Sequence, residues 1–346
     1  MLYATTRSNR DAFTPQRILS ELRGAEGGLF VPFHNPQFSP EEIDAFSQKS
    51  FSQCVAELLN LQFNTKLTSW DVDFAVGRRP VRLKQLNQRI LMAELWHNPD
   101  WMFSSMAEHL ARRISAEPIS GKTGDWVCVG VRIAVLFGIY GELCRAGMAD
   151  RENPFDISCV GGDFSAPVSA WYARCWGLPV GNIIICCNEN SDVWNLICHG
   201  QFRTDTVAIK TSTPDADVVL PESLERMIYA ALGREEAIRY AACIQSGVTY
   251  YLEEDQLQRL RKGLYVAVVS QPRVQSTISG VYGNCDYVLS AYDALSYSGL
   301  LDYRSRTGSR RYAVVLSEKS PRRDLEMVAS ALQTTAEELC RYLNKQ

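Results

Sequence analysis

From residue 156 to residue 187 the chain reads as strand, glycine turn, helix, strand, and this succession limits the possible folds more than any other stretch. An apolar run at 156–160 leads into Gly161-Gly162-Asp163, then a helix-forming stretch at 165–176 that stops at Gly177, then a second apolar run at 183–187. Two strands joined through a helix form a crossover between parallel neighbours, so the chain must contain a parallel sheet. The Gly161 turn then lies at the carboxyl edge of that sheet, where open α/β folds receive ligands. Taken alone the turn is a weak pointer, because such turns open many loops that bind nothing.

The flanking sequence extends the same pattern. Residues 126–143 carry only Arg132 and Glu142 as charges, close to the length that spans a bilayer. Arg132 near the middle, Asp125 as an N-cap and the lack of a flanking aromatic belt argue for a buried central helix, with no membrane partner. Beyond it, helices are expected at 192–200, 221–232 and 253–262, and strands at 265–270 and 312–317, with further helices between and after the strands. Upstream, Thr14-Pro15 and Ser39-Pro40 each place a hydroxyl before a proline suited to a first helical turn, and Ser39 with Glu42 forms a capping box. Gly27-Gly28 turns the chain into an extended segment at 29–32. A strand at 89–96, a turn at 97–100 and a helix starting near Ser104 follow. The reading is an α-rich stretch, 1–88, before an α/β core, 89–346, whose mostly parallel sheet is flanked by helices.

Charge and cysteine usage exclude several classes of function. The 36 Lys and Arg against 39 Asp and Glu leave a net charge of −3, too little positive charge to track a nucleic-acid backbone. The basic pairs Arg78-Arg79, Arg310-Arg311 and Arg322-Arg323 read as solvated faces. Met1 to Phe13 holds Arg7, Arg10 and Asp11 and no apolar core of a signal sequence, so a cytoplasmic protein is expected. Eleven cysteines with no C-x-x-C pair, and four scattered histidines, fit reduced thiols packed as small hydrophobes, with no metal site. The vicinal Cys186-Cys187 reads as two alternating strand residues.

Read in series, several segments resemble threonine synthase. The opening Gly27-Gly28-Leu29-Phe30-Val31-Pro32 with the capped helix at 39–43 is similar to the family's N-terminal signature. Glu94-Leu95-Trp96-His97-Asn98-Pro99 is similar to its Glu-Leu-Phe-His-Gly-Pro step. In family order follow Val160-Gly161-Gly162-Asp163-Phe164, Gly177-Leu178-Pro179-Val180, Asn188-Glu189-Asn190, His199-Gly200-Gln201-Phe202, and Asp217-Val218 with Pro221 to Arg226. These cover most of the chain. The resemblance implies a pyridoxal-phosphate (PLP) framework of fold type II, whose family eliminates phosphate from O-phosphohomoserine and adds water to give threonine.

Three departures from the family pattern imply that this chemistry is gone. The family's Schiff-base lysine falls five residues after the proline; counting from Pro99, this chain has Phe103 and then Ser104, and a hydroxyl cannot form an imine. Where the family grips the cofactor phosphate with an uncharged Ser-Gly-Asn-Phe-Gly-Asp turn, this chain has Gly161-Gly162-Asp163-Phe164-Ser165-Ala166. A carboxylate within several ångströms of a phosphate costs on the order of 1–4 kcal/mol. The family also inserts a small substrate-binding domain, for which only residues 106–124 are left here, a deficit of about a hundred residues. Near the C-terminus the family's Asp-Pro-His-Thr-Ala and Thr-His-Pro-Ala-Lys-Phe steps have become Ser290-Ala291-Tyr292-Asp293-Ala294 and Glu318 to Arg323.

The resulting expectation is a shortened, non-catalytic homologue without cofactor. Its vestigial pocket comprises Glu94, His97, Asn98, Ser104, Gly161, Gly162, Asp163, Phe164 and Asn188. It would bind a small amino-acid-like ligand, or a protein partner or second copy at a cleft face uncovered near Trp101, Met102 and Phe103, unless those side chains with Met106 plug the cavity from inside. Two enzyme readings stand beside it. In one, another lysine (Lys84, Lys122 or Lys210) takes the cofactor. In the other, Glu94, His97, Ser104 or Asp163 serve a remodelled lyase site; Glu94 and His97 would otherwise simply hold a strand end.

Overall fold

The computed structural model describes residues 1–8, 10–76, 81–87, 89–96, 103–114 and 126–344. The chain opens with β1 (Tyr3–Thr5), α1 (Pro15–Ser20) and β2 (Phe30–Pro32), the two strands pairing antiparallel. Then come α2 (Pro40–Ala45), α3 (Phe51–Phe63) and α4 (Ser69–Ala75). The Ser39 and Glu42 capping box forms as expected, and Ser50 with Gln53 makes another at the start of α3.

Next are β3 (Arg82–Asn87), β4 (Ile90–Glu94), α5 (Phe103–Ile114), α6 (Trp126–Arg145), β5 (Phe155–Val160), α7 (Ser165–Cys175), β6 (Val180–Cys187) and α8 (Asp192–His199). A short ribbon of β7 (Gln201–Phe202) and β8 (Tyr250–Tyr251) encloses α9 (Leu224–Leu232) and α10 (Arg234–Ser246). The chain ends with α11 (Glu254–Arg261), β9 (Leu264–Val268), α12 (Gln271–Cys285), α13 (Ala291–Thr307), β10 (Ala313–Ser317), α14 (Leu325–Ala331) and α15 (Ala336–Leu343).

The central sheet has the order β3-β4-β10-β5-β6-β9, all parallel except the edge strand β3. β6 carries the expected alternation. Ile183, Ile185 and Cys187 face the core shared with α6 and α7, while Ile184 and Cys186 face the one beneath α12 and α13. Helices therefore cover both sheet faces, and the carboxyl ends of β4, β10, β5 and β6 come side by side. β3 and α10 are among the elements that escaped the sequence reading. β3 (RLKQLN) is too polar to announce a strand and forms because it pairs with β4. α10 buries only Ala237, Tyr240 and Ala241, too thin an apolar stripe to register.

The long apolar stretch is the buried central helix that was expected: residues 126–141 of α6 are all buried. Its glycines permit α3 to lie close. A Cβ on Gly138 would sit 2.5 Å from the Phe51 ring, and one on Gly130 would sit 2.5 Å from Gln62 Oε1. Each glycine inside a helix costs about 0.5–1 kcal/mol relative to alanine, so the close approach must return more than that. The N-terminal strands are tied to the core by buried charge. Glu225 accepts two bonds from Arg7 at 2.8 and 2.9 Å and one from Thr6, while Arg226, itself fully buried, donates to Phe30 O at 3.0 Å.

Candidate functional site

The parallel strands deliver their loops to one edge, and Glu94, the Gly161 turn and Asn188 of the residues singled out in the sequence lie at strand ends there. Glu94 ends β4 and is buried; Ser317, its neighbour in register, ends β10. Tyr287 Oη donates to Glu94 Oε1 at 2.8 Å, Arg82 approaches at 3.7 Å, and burial raises the Glu94 carboxyl above its ordinary value. Trp96 Nε1 donates to Ser317 Oγ at 2.9 Å. Beside them Asp293 is fully buried, and burial lifts its carboxyl to about 7. Glu94 thus ends β4 with its carboxyl held by Tyr287 and Arg82.

The turn after β5 is held tightly. Gly161 packs so that a Cβ would fall 3.0 Å from Cys187 Sγ, and Gly162 takes φ +43°. Phe164 adopts a left-handed φ of +70° while fully buried, a conformation that costs a non-glycine residue of order 1 kcal/mol or more. Such a turn at a helix start presents backbone donors suited to an anion. In this chain the carboxylate belongs to the turn itself: Asp163 Oδ1 accepts from Ser165 N at 3.1 Å and from Ser165 Oγ at 2.8 Å.

Arg132 lies beside the turn. It projects from α6, is 3% exposed, and gives a two-pronged bond to Glu318, Nε to Oε1 at 2.7 Å and Nη2 to Oε2 at 2.9 Å. Its Nη1 reaches Ser165 Oγ at 3.3 Å, and its guanidinium lies 4.1 Å from the centroid of the Phe103 ring. Glu318 and, more weakly, Asp163 hold the guanidinium charged against its burial. Phe103 N donates to Glu318 O at 2.9 Å, which ties the start of α5 to the end of β10. Ser104 is the second residue of α5 and half-buried; Phe103 and Met106 point inward. His97, Asn98, Trp101 and Met102 lie outside the described residues.

Asn188 is buried and works structurally. Its Nδ2 donates to Thr211 Oγ1, Thr213 Oγ1 and Asp217 Oδ1 at 2.7–3.0 Å, pinning the loop after β7 across the sheet edge. The cavity lined by Gly161, Gly162, Cys187, Asn190, Val193 and Ala216 amounts to about 10 Å³, at the limit for one water. Sequence reasoning missed Arg132, Glu318 and Lys319 as site residues. Arg132 did leave a signal, since a lone charge inside an apolar helix must find a partner. Lys319 pairs with Asp215 and lies 3.8 Å from the Tyr292 ring centroid, and burial lowers its ammonium to about 8.

Residues 2–77 match the family model described as threonine synthase N terminus. Among curated proteins, the human threonine synthase-like 1 is 20% identical over 160 residues, 45% of this chain. The match spans about a fifth of that protein's length, 22%. Threonine synthase of Schizosaccharomyces pombe is 29% identical over 114 residues, 30% of this chain and 22% of that protein. With threonine synthase of Pseudomonas aeruginosa the identity is 19% over 392 positions, covering 85% of this chain and 83% of that one. The fold is that of a solved PLP-bound threonine synthase from Brucella melitensis, with a TM-score of 0.84 at 16% identity across 96% of this chain and 91% of the other. The yeast enzyme superposes similarly, with a TM-score of 0.83 at 14% identity across 96% and 90%. With the N-terminal residues matching the family model and the sheet, central helix and glycine turn superposing on solved threonine synthases, the chain is similar to threonine synthases along its length and has their fold.

Proposed function

We propose that this chain is a catalytically inactive threonine synthase-like protein that holds no PLP and acts in the cytoplasm by binding, with a protein partner as its ligand. The observation that carries the reading is Arg132, locked by Glu318 and stacked on Phe103 in front of the glycine turn. A cofactor needs a pocket of about 300 Å³ or more, and the cavity described against Gly161 and Gly162, on the side of Cys187 and Ala216, is about 10 Å³. The turn's Ser165 N–H already serves Asp163, and Ser104 offers no amine. These residues do not fit the family's cofactor. An amino-acid-like ligand would meet the same Arg132–Glu318 pair, which leads us to favour a macromolecular partner over it.

The division into an α-rich 1–88 and an α/β 89–346, with the small domain cut back to 106–124, belongs to the same proposal. It is supported by the Pseudomonas alignment, whose 392 positions exceed the 346 residues of this chain while using only 85% of them. Burial of Phe103 and Met106 supports the internal plug. The remainder of the expected apolar patch, Trp101 and Met102, lies outside the described residues.

One observation favours the alternative, a lyase with a remodelled site. Lys319 is an amine of lowered basicity whose partner Asp215 has its carbonyl 3.5 Å from where a Cβ on Gly162 would stand. A single experiment separates the readings: purified chain is mixed with PLP, scanned for aldimine absorbance, reduced with borohydride and mapped by peptide mass. No adduct is expected. An adduct on Lys319, or on any other lysine in stoichiometric yield, would replace the proposal with the enzyme reading.

A further inference from the structure

The two edges of the sheet are protected differently. β3, one edge, carries Arg82 and Lys84, and charged side chains of this kind keep an edge from pairing with foreign strands. β9, the other edge, reads Leu264-Tyr265-Val266-Ala267-Val268 and carries no charge. Its inner bonds go to β6, with Ile183 N donating to Gly263 O and Val269 N to Cys187 O. In a parallel pair alternate residues face the neighbour, so the N–H and C=O groups of Val266 and Val268 point outward. They have no partner among the described residues.

A continuous slot follows this edge. Tyr265, Val266, Ala267 and Val268 all line a cavity of about 360 Å³; four consecutive strand residues can share one cavity only where it runs along the backbone. It continues past Val268 into a second cavity of about 550 Å³, reaching the start of α12. One bank is Trp194 of α8, packed against the core on the α6 side of the sheet. The other, from α12 and α13, holds Arg273, Asp302 and Arg306. Asp302 faces Arg273 at 3.7 Å, while Arg306 is exposed and has no ion-pair partner among the described residues. At the wide end Glu189 Oε1 accepts from Gln271 N, and Glu189 Oε2 is buried without a partner.

We propose that the outer edge of β9 is a docking slot for an extended acidic segment of a partner protein, which joins the sheet as an added strand. Along such a strand successive side chains alternate between faces. Apolar ones fall toward Trp194 and acidic ones toward Arg306, the arginine of the slot that has no ion-pair partner among the described residues, whereas Arg273 is already paired with Asp302. The backbone of the segment takes up the outward groups of Val266 and Val268. A second copy of the chain fits less well, because its own β9 brings no carboxylate to Arg306 and stands between its own α8 and α13.

This inference goes beyond the function proposed above and does not depend on the state of the cofactor site. The test uses the whole chain and an acetylated, amidated peptide of about nine residues alternating valine and glutamate, with lysine replacing glutamate in the control. The glutamate peptide binds, slows amide exchange at Val266 and Val268 by about tenfold or more, and is weakened about tenfold or more by Arg306→Glu; the lysine peptide does not bind. Arg306 is exposed, so the variant keeps the circular dichroism and thermal unfolding of the parent. Failure of the glutamate peptide to bind, equal binding of both peptides, or indifference to Arg306→Glu would overturn the slot. Concentration-dependent protection of Val266 and Val268 without peptide, accompanied by dimerisation, would overturn it in favour of a second copy.

Discussion

Arg132 and Glu318 are joined by one interaction, yet substituting them should have unequal effects. Arg132 is 3% exposed while the Glu318 side chain is 27% exposed. Glu318→Gln leaves a guanidinium charged in a space closed by Phe103, Ser165 and α6, with only the electrostatic help of Asp163. Removing one member of a fully buried pair costs about 3–5 kcal/mol. Partial access of water to the Glu318 side reduces this to about 2–3 kcal/mol. Arg132→Met removes the charge and keeps the volume, and Glu318 can turn to water. What is lost is the ring contact and one weak bond to Ser165, about 1 kcal/mol in all. Urea unfolding followed by circular dichroism at neutral pH, with the denaturant slope unchanged between variants, reads both values. Glu318→Gln should lose at least about 1 kcal/mol more than Arg132→Met. If Arg132→Met proves the costlier change, or both fall within about 0.5 kcal/mol of the parent, the arginine is not the closed-in plug described above.

Ser104→Lys restores the family's amine but not its space, so the variant should still give no aldimine band with PLP; recovery of the band would mean that the closure around Arg132 opens freely. Gly138→Ala drives a methyl to 2.5 Å from the Phe51 ring and should destabilise by about 1–3 kcal/mol by thermal or urea unfolding, against the gain of up to about 1 kcal/mol that alanine gives an open helix site. Asp293 supplies the pH test. Burial lifts its carboxyl from 3.8 to about 7, Glu94 adds to the rise and Ser290 opposes it, so the folded chain keeps a proton that the unfolded chain releases. Stability is therefore lost as pH rises from about 4 to about 7 and stays level above that. Asp293→Asn should be more stable than the parent by about 2–4 kcal/mol at pH 8, and the advantage should vanish near pH 4; an advantage independent of pH would refute the assignment.

The layout was legible because the local signals agree with the tertiary ones. The capping box at Ser39, the glycine stops at Gly177 and Gly200, and the alternation of Ile183 to Cys187 each mark an element that the structure contains. β3 was illegible because a polar edge strand owes its conformation to its neighbour rather than to its composition. The site was half legible. Ser104 and Asp163 could be placed by counting, since they stand at fixed steps from a proline and from a pair of glycines. Glu318 could not, because nothing in a linear sequence says that a residue 186 positions from Arg132 will meet it. That pairing depends on β10 lying between β4 and β5 in the sheet, a crossover in chain order.

The polar accounting of the two regions points in opposite directions, and this contrast locates where binding can do most. In front of the glycine turn several donors and acceptors are spent within the chain, Ser165 on Asp163, Arg132 on Glu318, Trp96 on Ser317 and Tyr287 on Glu94, although Asp163 Oδ2 and Asp293 Oδ1 are buried without a partner. A ligand entering there must break existing bonds before it makes its own, so the net gain per bond approaches zero. Along β9 the outward groups of Val266 and Val268 have no bond to another described residue to give up, and Glu189 Oε2 is buried without a partner. Each bond formed there adds to affinity, and Val268, 41% exposed, adds apolar area to it. The contrast makes the unpaired edge of the sheet, rather than the glycine turn, the place where the proposed docking should be sought first.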